Sequence, residues 1–519
     1  MVPHPKLQGN DPLPQTQALP DGRGRASPRL AGSFAELLHQ DVAGWAEAGF
    51  EVVKARTVRL VLRGTLAGVP VHVKVFRPDR FADRARDLLR MDRGRVEHDN
   101  LQRARQLGLP TVEPLGHGFA NVDGKPRSCV MTRSVAGAAF EFATASTNIL
   151  AAAGALLRTV HERGMAPSDL HPGNLLVGPD GSLHLLDLTS VHHRGAPSLR
   201  ERARALAFFC HELDGGALDP VARPLLAAYL ENGAPLGPTC RSELAAATRR
   251  WRAGALPAFG RRSERDCRHT LTTVRRRATP QWFWHLTHEA AGAALDRDAF
   301  ETLAQHLPTP DKTGRRGSVW LLPELAAKER PAAAARRLWR ASYWLQFARV
   351  ACPRPVAMRL HAGRGLVFVE RLRRPSLAAE LAADALPPQE LALAATALGT
   401  SVGRLHAHGL GNRDLKFENL VRTESGQVAM VDLDGVRRRP TLDSRGRGAD
   451  LGRLLAAFEA AGAPGGTATV ARFVRAYLRA HRRLLMASPW RRLRRTAAQR
   501  AGEWAEAHRK SWPADRRIR

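Results

Sequence analysis

The stretch HERGMAPSDLHPGNLLVGPDGSLHLLDLTSV, residues 161–191, decides the architecture because it recurs without a gap as HAHGLGNRDLKFENLVRTESGQVAMVDLDGV at 406–436. At one offset of 245 positions His161 meets His406, Gly164 meets Gly409, Asp169 meets Asp414, Asn174 meets Asn419, Gly181 meets Gly426 and Asp187 meets Asp432. A match held at a constant offset means two copies of one domain. Each copy reads D-L-x-x-x-N-L, a glycine-containing turn, then an apolar strand ending in Asp-Leu. Asp and Asn also build turns, so one such pattern would say little. Two copies, each with a second Asp 13 residues after the Asn and a His eight residues before the first Asp, point to shared chemistry. A loop followed by a hairpin gathers three hard oxygen donors at one mouth, which suits magnesium and phosphate oxygens.

This combination resembles the catalytic loop and metal-binding Asp of the protein-kinase-like superfamily. Within it the chain is similar to the lipopolysaccharide kinase family, which phosphorylates Kdo or heptose sugars. The second copy carries the closer likeness, in NRDLKFENLV, in the D-L-D of VDLDGV, and in ARRLWRASYWLQFARVACPRPVA, which resembles a helix leading to a proline-containing strand. SDLHPGNLLV of the first copy is also similar to the loops of aminoglycoside and choline kinases and of atypical kinases tied to quinone synthesis. The likeness runs over about residues 45–460. It implies an α+β fold of tandem two-lobed domains, each a small β-rich N-terminal lobe and a mainly helical C-terminal lobe. It also implies ATP and Mg²⁺ as cofactors. Asp169 and Asp414 would orient an acceptor hydroxyl, and Asn174, Asp187, Asn419 and Asp432 would ligate the metal.

Upstream, Lys74 lies in the alternating run VHVKVF, where the resemblance expects a phosphate-binding Lys, and Glu97 follows where its ion-pair partner belongs. Only 8 of the 80 cationic residues are Lys, so a Lys on a motif position is not background. RGTLAG at 63–68 reads as a glycine hairpin and a loose phosphate cover lacking GxGxxG, and the adenine would lie against 130–133 or 367–370. The second copy departs from the pattern. Counting back from Pro355, matched to Pro114, Leu338 falls where Glu97 stands, and the candidate Lys is Lys328 in LAAKERP, a segment of poor strand character. Lys416 is in position to meet a γ-phosphate; the first copy has His171 there and Ser168 before its Asp. Pro167 and Asn412 replace the usual His two residues before the catalytic Asp. Either one copy works and the other regulates, or both are active; Lys74 and Glu97 favour the first copy for ATP.

With 519 residues, 44% hydrophobic and 25% charged, the chain has material for two or three cores and is neither disordered nor collagenous. Expected domains are a disordered Pro/Gly-rich start (1–31), copy one (32–250), an Arg-rich linker (251–285), copy two (286–488) and a basic Trp/Arg-rich helix (489–519). The net charge of +31 suits a polyanionic neighbour, yet the dominance of Arg also fits a compositional bias. In 489–519, ten cations are interleaved with Trp490, Trp504 and Trp512, which fits either an anionic membrane surface or a helix packed on its own domain. No RNA or DNA motif accompanies the charge, which argues against nucleic acid. Five scattered cysteines without CxxC spacing argue against a disulfide framework or zinc and fit a reducing cytoplasm. With no apolar run of membrane-spanning length, the expectation is a cytoplasmic protein, soluble or peripheral at the inner membrane face. The functions in view are transfer of the γ-phosphate of ATP to a sugar hydroxyl of a glycolipid, transfer to Ser/Thr of a protein, and, from another class, a pseudokinase scaffold.

Overall fold

The computed structural model describes residues 16–56, 59–77, 92–193, 195–231, 239–265, 270–272, 280–285, 297–314, 317–439, 444–462, 464–481 and 487–511. It is an α+β protein whose sheets pair antiparallel, and it divides into two compact units, Met1–Trp251 and Arg252–Arg519.

In unit 1 a seven-stranded sheet runs Gln17–Ala18, Gly24–Ala26, Pro114–Val122, Lys125–Arg133, Val69–Phe76, Arg59–Leu66, Glu51–Arg56 in order of hydrogen-bonded neighbours. Strand Val69–Phe76 follows from its period of two: Val69, Val71, Val73 and Val75 are buried while Lys74 points to the other face. Helix Arg93–Gln106 is capped by the Asp92 carboxylate, which accepts from Arg95 N at 3.0 Å. It packs so tightly on the sheet that a Cβ at Gly94 would sit 2.1 Å from the Cys129 carbonyl oxygen. Helices Thr147–Glu162, Leu199–Phe209 and Arg223–Glu231 pack around Leu157, Leu206 and Leu225, with the repeated loop segment and its short strands between the first two.

Unit 2 has the same strand order, Thr270–Thr272, Gln281–His285, Pro355–His361, Arg364–Glu370, Leu325–Pro331, Gly317–Leu321, Lys312–Gly314. The repeat therefore reaches well beyond the matched 31-residue stretch. Within that stretch the 245-residue offset holds for the short strands Met165–Pro167 and Leu410–Asn412, Leu175–Val177 and Leu420–Arg422, and Leu183–Leu185 and Val428–Met430. Helix Ala332–Phe347 starts directly after strand Leu325–Pro331.

Two expected segments need correction. The start is not disordered throughout, since residues 16–31 carry two strands and bury Leu19, Ala26 and Leu30; residues 1–15 lie outside the described residues. A glycine is what the close pairing requires there, because a Cβ on Gly24 would sit 2.1 Å from the His117 carbonyl oxygen. Nor is 251–285 a linker. Helix Cys240–Arg262 runs into it, Gln281–His285 is an inner strand of the unit 2 sheet, and Glu264 accepts ion pairs from Arg336 at 2.9 Å and from Arg340.

The C-terminal segment forms helix Ala487–Ser511, with Leu493, Ala497 and Ala501 buried. Gly448 and Gly452 of helix Ser444–Ala460 admit it: Cβ atoms there would lie 2.6 Å from Thr496 Cγ2 and 2.8 Å from the Ala497 carbonyl oxygen. The side chains of Trp490, Trp504 and Trp512 lie outside the described residues. Among the described residues no helix is long and apolar enough to cross a membrane.

Candidate functional site

Unit 1 brings together residues that are far apart in sequence. Lys74 Nζ lies 2.7 Å from both Glu97 Oε2 and Asp187 Oδ1. The helix bearing Glu97 is tied to the segment after Asp187, because Asn100 Nδ2 donates to the Leu188 carbonyl at 2.6 Å. Asp187 also accepts from Thr189 Oγ1 at 3.1 Å, and its second oxygen pairs with Arg59. Burial opposes charge on Asp187, but Lys74 and Arg59 outweigh it and hold the carboxyl well below its ordinary range. Burial pushes the Glu97 carboxyl up against the pull of Lys74. Asp187 stands in the left-handed region at φ 58°, a strain its partners offset.

In the loop, Asn174 Nδ2 donates to the Asp169 carbonyl at 2.8 Å, and Leu186 N donates to the Asn174 carbonyl at 2.9 Å, which sets Asn174 beside the approach to Asp187. Asp169 is exposed at the rim.

Unit 2 repeats this geometry. Asn419 Nδ2 donates to the Asp414 carbonyl at 2.9 Å, and Val431 N donates to the Asn419 carbonyl at 3.0 Å just before Asp432. Lys74 lies between Val61 and Val130 on the flanking strands, and Lys328 lies between Val319 and Val367. The weak strand character of LAAKERP is corrected here: pairing on both sides overrides propensity. Lys328 Nζ is 3.4 Å from Asp432 Oδ1 and donates to the Val431 carbonyl at 3.1 Å. Burial works against charge on Asp432, and Lys328 with the Asp434 amide still holds its carboxyl below the ordinary range. No Glu joins this Lys from the helix, where Leu338 is buried in the core. Lys416 lies 3.9 Å from Asp414 at the rim.

Four features escaped the sequence reading. Asp450 accepts from Asn412 N at 2.8 Å and lies 3.3 Å from His406 Nε2, while Asn412 Oδ1 accepts from Asp414 N at 3.0 Å, so a buried carboxylate anchors the loop of unit 2. Unit 1 holds the buried Arg202 beside His161 instead. The repeated His is structural: His161 Nδ1 lies 2.7 Å from the Tyr229 hydroxyl and His406 Nδ1 lies 2.9 Å from that of Tyr477. Arg330 makes two bonds, 2.9 and 2.8 Å, to Asp434. Finally, the turn that approaches the Lys is not RGTLAG. That hairpin closes at Leu66 and Val69, five residues from Lys74 or about 17 Å along an extended strand. The strand pairs that lie near the Lys are Arg56 with Arg59 in unit 1 and Gly314 with Gly317 in unit 2, so a signal lay in the glycines of TGRRG just before SVWLL.

A carboxylate and an amide side chain stand at each loop, a set that would suit an ion keeping water and phosphate ligands rather than a full protein cage, although in unit 1 Arg59 already holds one carboxylate oxygen. Among the described residues no group of three or more His, Cys, Asp or Glu is gathered so as to hold a metal ion. Cys129, Cys210, Cys240 and Cys352 are free thiols, and Cys267 lies outside the described residues.

No family model matches the chain, and no curated protein does. Among solved structures, a crystal structure of WbdD overlaps 38% of this chain and 50% of its own at 15% identity and a TM-score of 0.26. A second, titled as the bifunctional kinase-methyltransferase WbdD, overlaps 36% and 47% at 16% identity and a TM-score of 0.24. The chain thus spans about half the length of these structures.

Proposed function

We propose that the protein is a tandem kinase-like phosphotransferase that uses ATP and Mg²⁺, each unit pairing a β-rich lobe with a mainly helical one. The observation that carries this reading is the meeting of Lys74, Glu97 and Asp187 within 2.7 Å, from a strand, a helix and a loop. Such a trio suits a Lys held in place to bind the phosphates of a nucleotide. Asp169 or Asp414 accepts a hydrogen bond from the acceptor hydroxyl and aims it. The hydroxyl oxygen bonds to the γ-phosphorus, the bond to the β,γ-bridging oxygen breaks, ADP leaves with the electron pair, and the hydroxyl proton passes through the Asp to solvent. Magnesium held by Asn419 and Asp432, or Asn174 and Asp187, would neutralise phosphate charge.

The proposed acceptor is a sugar hydroxyl of a lipopolysaccharide-type glycolipid at the cytoplasmic membrane face. The support is the likeness of NRDLKFENLV and VDLDGV to that family. A pseudokinase reading keeps a specific support of its own, the Arg59 guanidinium on Asp187. Incubation with γ-labelled ATP and membrane extract, then separation of lipid from protein, tests the proposal. Label in lipid, absent when Asp187 and Asp432 are both replaced by Ala, is expected. Label in protein supports a Ser/Thr kinase, and no label above the double variant leaves the scaffold.

A further inference from the structure

We propose that Arg59 takes the place of a divalent cation in unit 1, so that this unit binds a nucleoside triphosphate without metal and transfer belongs to unit 2. The inference rests on the kinase reading and divides the labour within it. Both oxygens of Asp187 are engaged, one by Lys74 at 2.7 Å and Thr189 at 3.1 Å, the other by Arg59. With Lys74 and Thr189 on the first oxygen, a metal would have to share the second with the guanidinium, beside a fixed positive charge. Arg does not give up its charge at any relevant pH, so the carboxylate is not released by deprotonation of its partner. The pair is also sheltered, with side-chain exposures of 23% and 14%, and screening by solvent ions is weak there.

Unit 2 is built differently at the same register. Val61 opposes Lys74 and Val319 opposes Lys328, so two residues back along the strand Arg59 corresponds to Gly317. Gly317 has no side chain to offer, and it can have none: its φ is +128° and a Cβ would lie 2.0 Å from the Glu329 carbonyl oxygen. The nearby cation, Arg330, is committed to Asp434 by two bonds. Asp432 is 29% exposed, with Lys328 no nearer than 3.4 Å. Its loop is the one anchored by Asp450 and furnished with Lys416. Unit 2 therefore leaves a carboxylate open to a metal beside a fixed catalytic loop, whereas unit 1 supplies two organic cations, Arg59 and Lys74, to phosphate oxygens directly. This reverses the preference that Lys74 and Glu97 give in sequence.

The test uses the full chain carrying Lys328→Met and Asp432→Ala, titrated with a fluorescent ATP analogue in EDTA and in excess Mg²⁺. Equal affinity in the two media is expected, and adding Arg59→Gly should make binding about tenfold tighter in Mg²⁺ than in EDTA. Arg59→Gln, run in parallel with thermal melts, serves if the Gly variant loosens the strand. Binding that already needs Mg²⁺ before Arg59 is changed overturns the proposal, as does metal-independent binding that persists in both Arg59 variants. In the otherwise natural chain Asp432→Ala should abolish transfer although Lys74, Glu97 and Asp187 are intact; surviving transfer removes unit 2 from its role. No binding of the analogue by the natural chain in either medium would instead sink the kinase reading itself.

Discussion

Asp450 shows how one carboxylate fixes a loop. It satisfies the Asn412 amide at 2.8 Å and meets His406, and Asn412 in turn receives the Asp414 amide, so the position of Asp414 rests on a chain of buried partners. Removing an acceptor from buried donors costs their desolvation, typically ~1–3 kcal/mol for each neutral group and more for charged ones. Asp450→Ala should therefore lower the stability of unit 2 by about 3 kcal/mol in denaturant titrations and also weaken transfer more than substrate binding. A variant of unchanged stability would mean that water or a neighbour replaces the carboxylate. In unit 1 the buried side chain beside the repeated His is Arg202, and Pro167, which has no N–H to donate, stands where Asn412 does, so the corresponding loop there lacks this anchor.

At the scale of the element, each repeated His closes a helix onto a later one through a Tyr hydroxyl. In unit 1 burial, joined by Arg202 and Arg158, pushes His161 down to about 3 from its ordinary 6.5. The folded chain keeps it neutral while the unfolded chain takes a proton below pH 6.5, so the unfolded state binds more protons across that window. Stability is thus fully present above pH 6.5 and is lost as pH falls toward 3, at up to ~1.4 kcal/mol per pH unit. His161→Gln should flatten the decline in melting temperature between pH 6.5 and 4.5, above the range in which Asp187 acts; a variant as acid-sensitive as the natural chain would refute the assignment. The loop and its strands were legible in sequence because a local pattern fixes them, and the offset of 245 carries through. Strand Leu325–Pro331 was not, because Ala-rich residues become a strand only between two partners. Arg59 and Gly317 were missed for a related reason: glycine spacing marks a turn, but only the register tells which end of the sheet faces Asp187 or Asp432.

Across the molecule the largest open question in the sequence was the charge, and the C-terminal helix reframes how to test it. Leu493, Ala497 and Ala501, four residues apart, face inward, whereas Arg491, Arg492, Arg494 and Arg495 are exposed. Deleting 489–519 would strip a packed helix from Gly448 and Gly452, so loss of vesicle binding by such a truncation would report unfolding as readily as lost charge. Substituting the four arginines with Gln leaves the buried stripe intact. Each cation near an anionic bilayer is worth ~1 kcal/mol and is screened beyond a Debye length of about 8 Å at physiological salt. If the helix meets a membrane, the quadruple variant should keep its melting temperature and ATP affinity while binding vesicles rich in phosphatidylglycerol on the order of a thousandfold more weakly at low salt. The gap should narrow as salt rises, since only the charge term has been changed. Equal vesicle binding by a folded quadruple variant rejects this face as the anchor, and leaves its arginines as part of the bias that makes 72 of the 80 cations Arg.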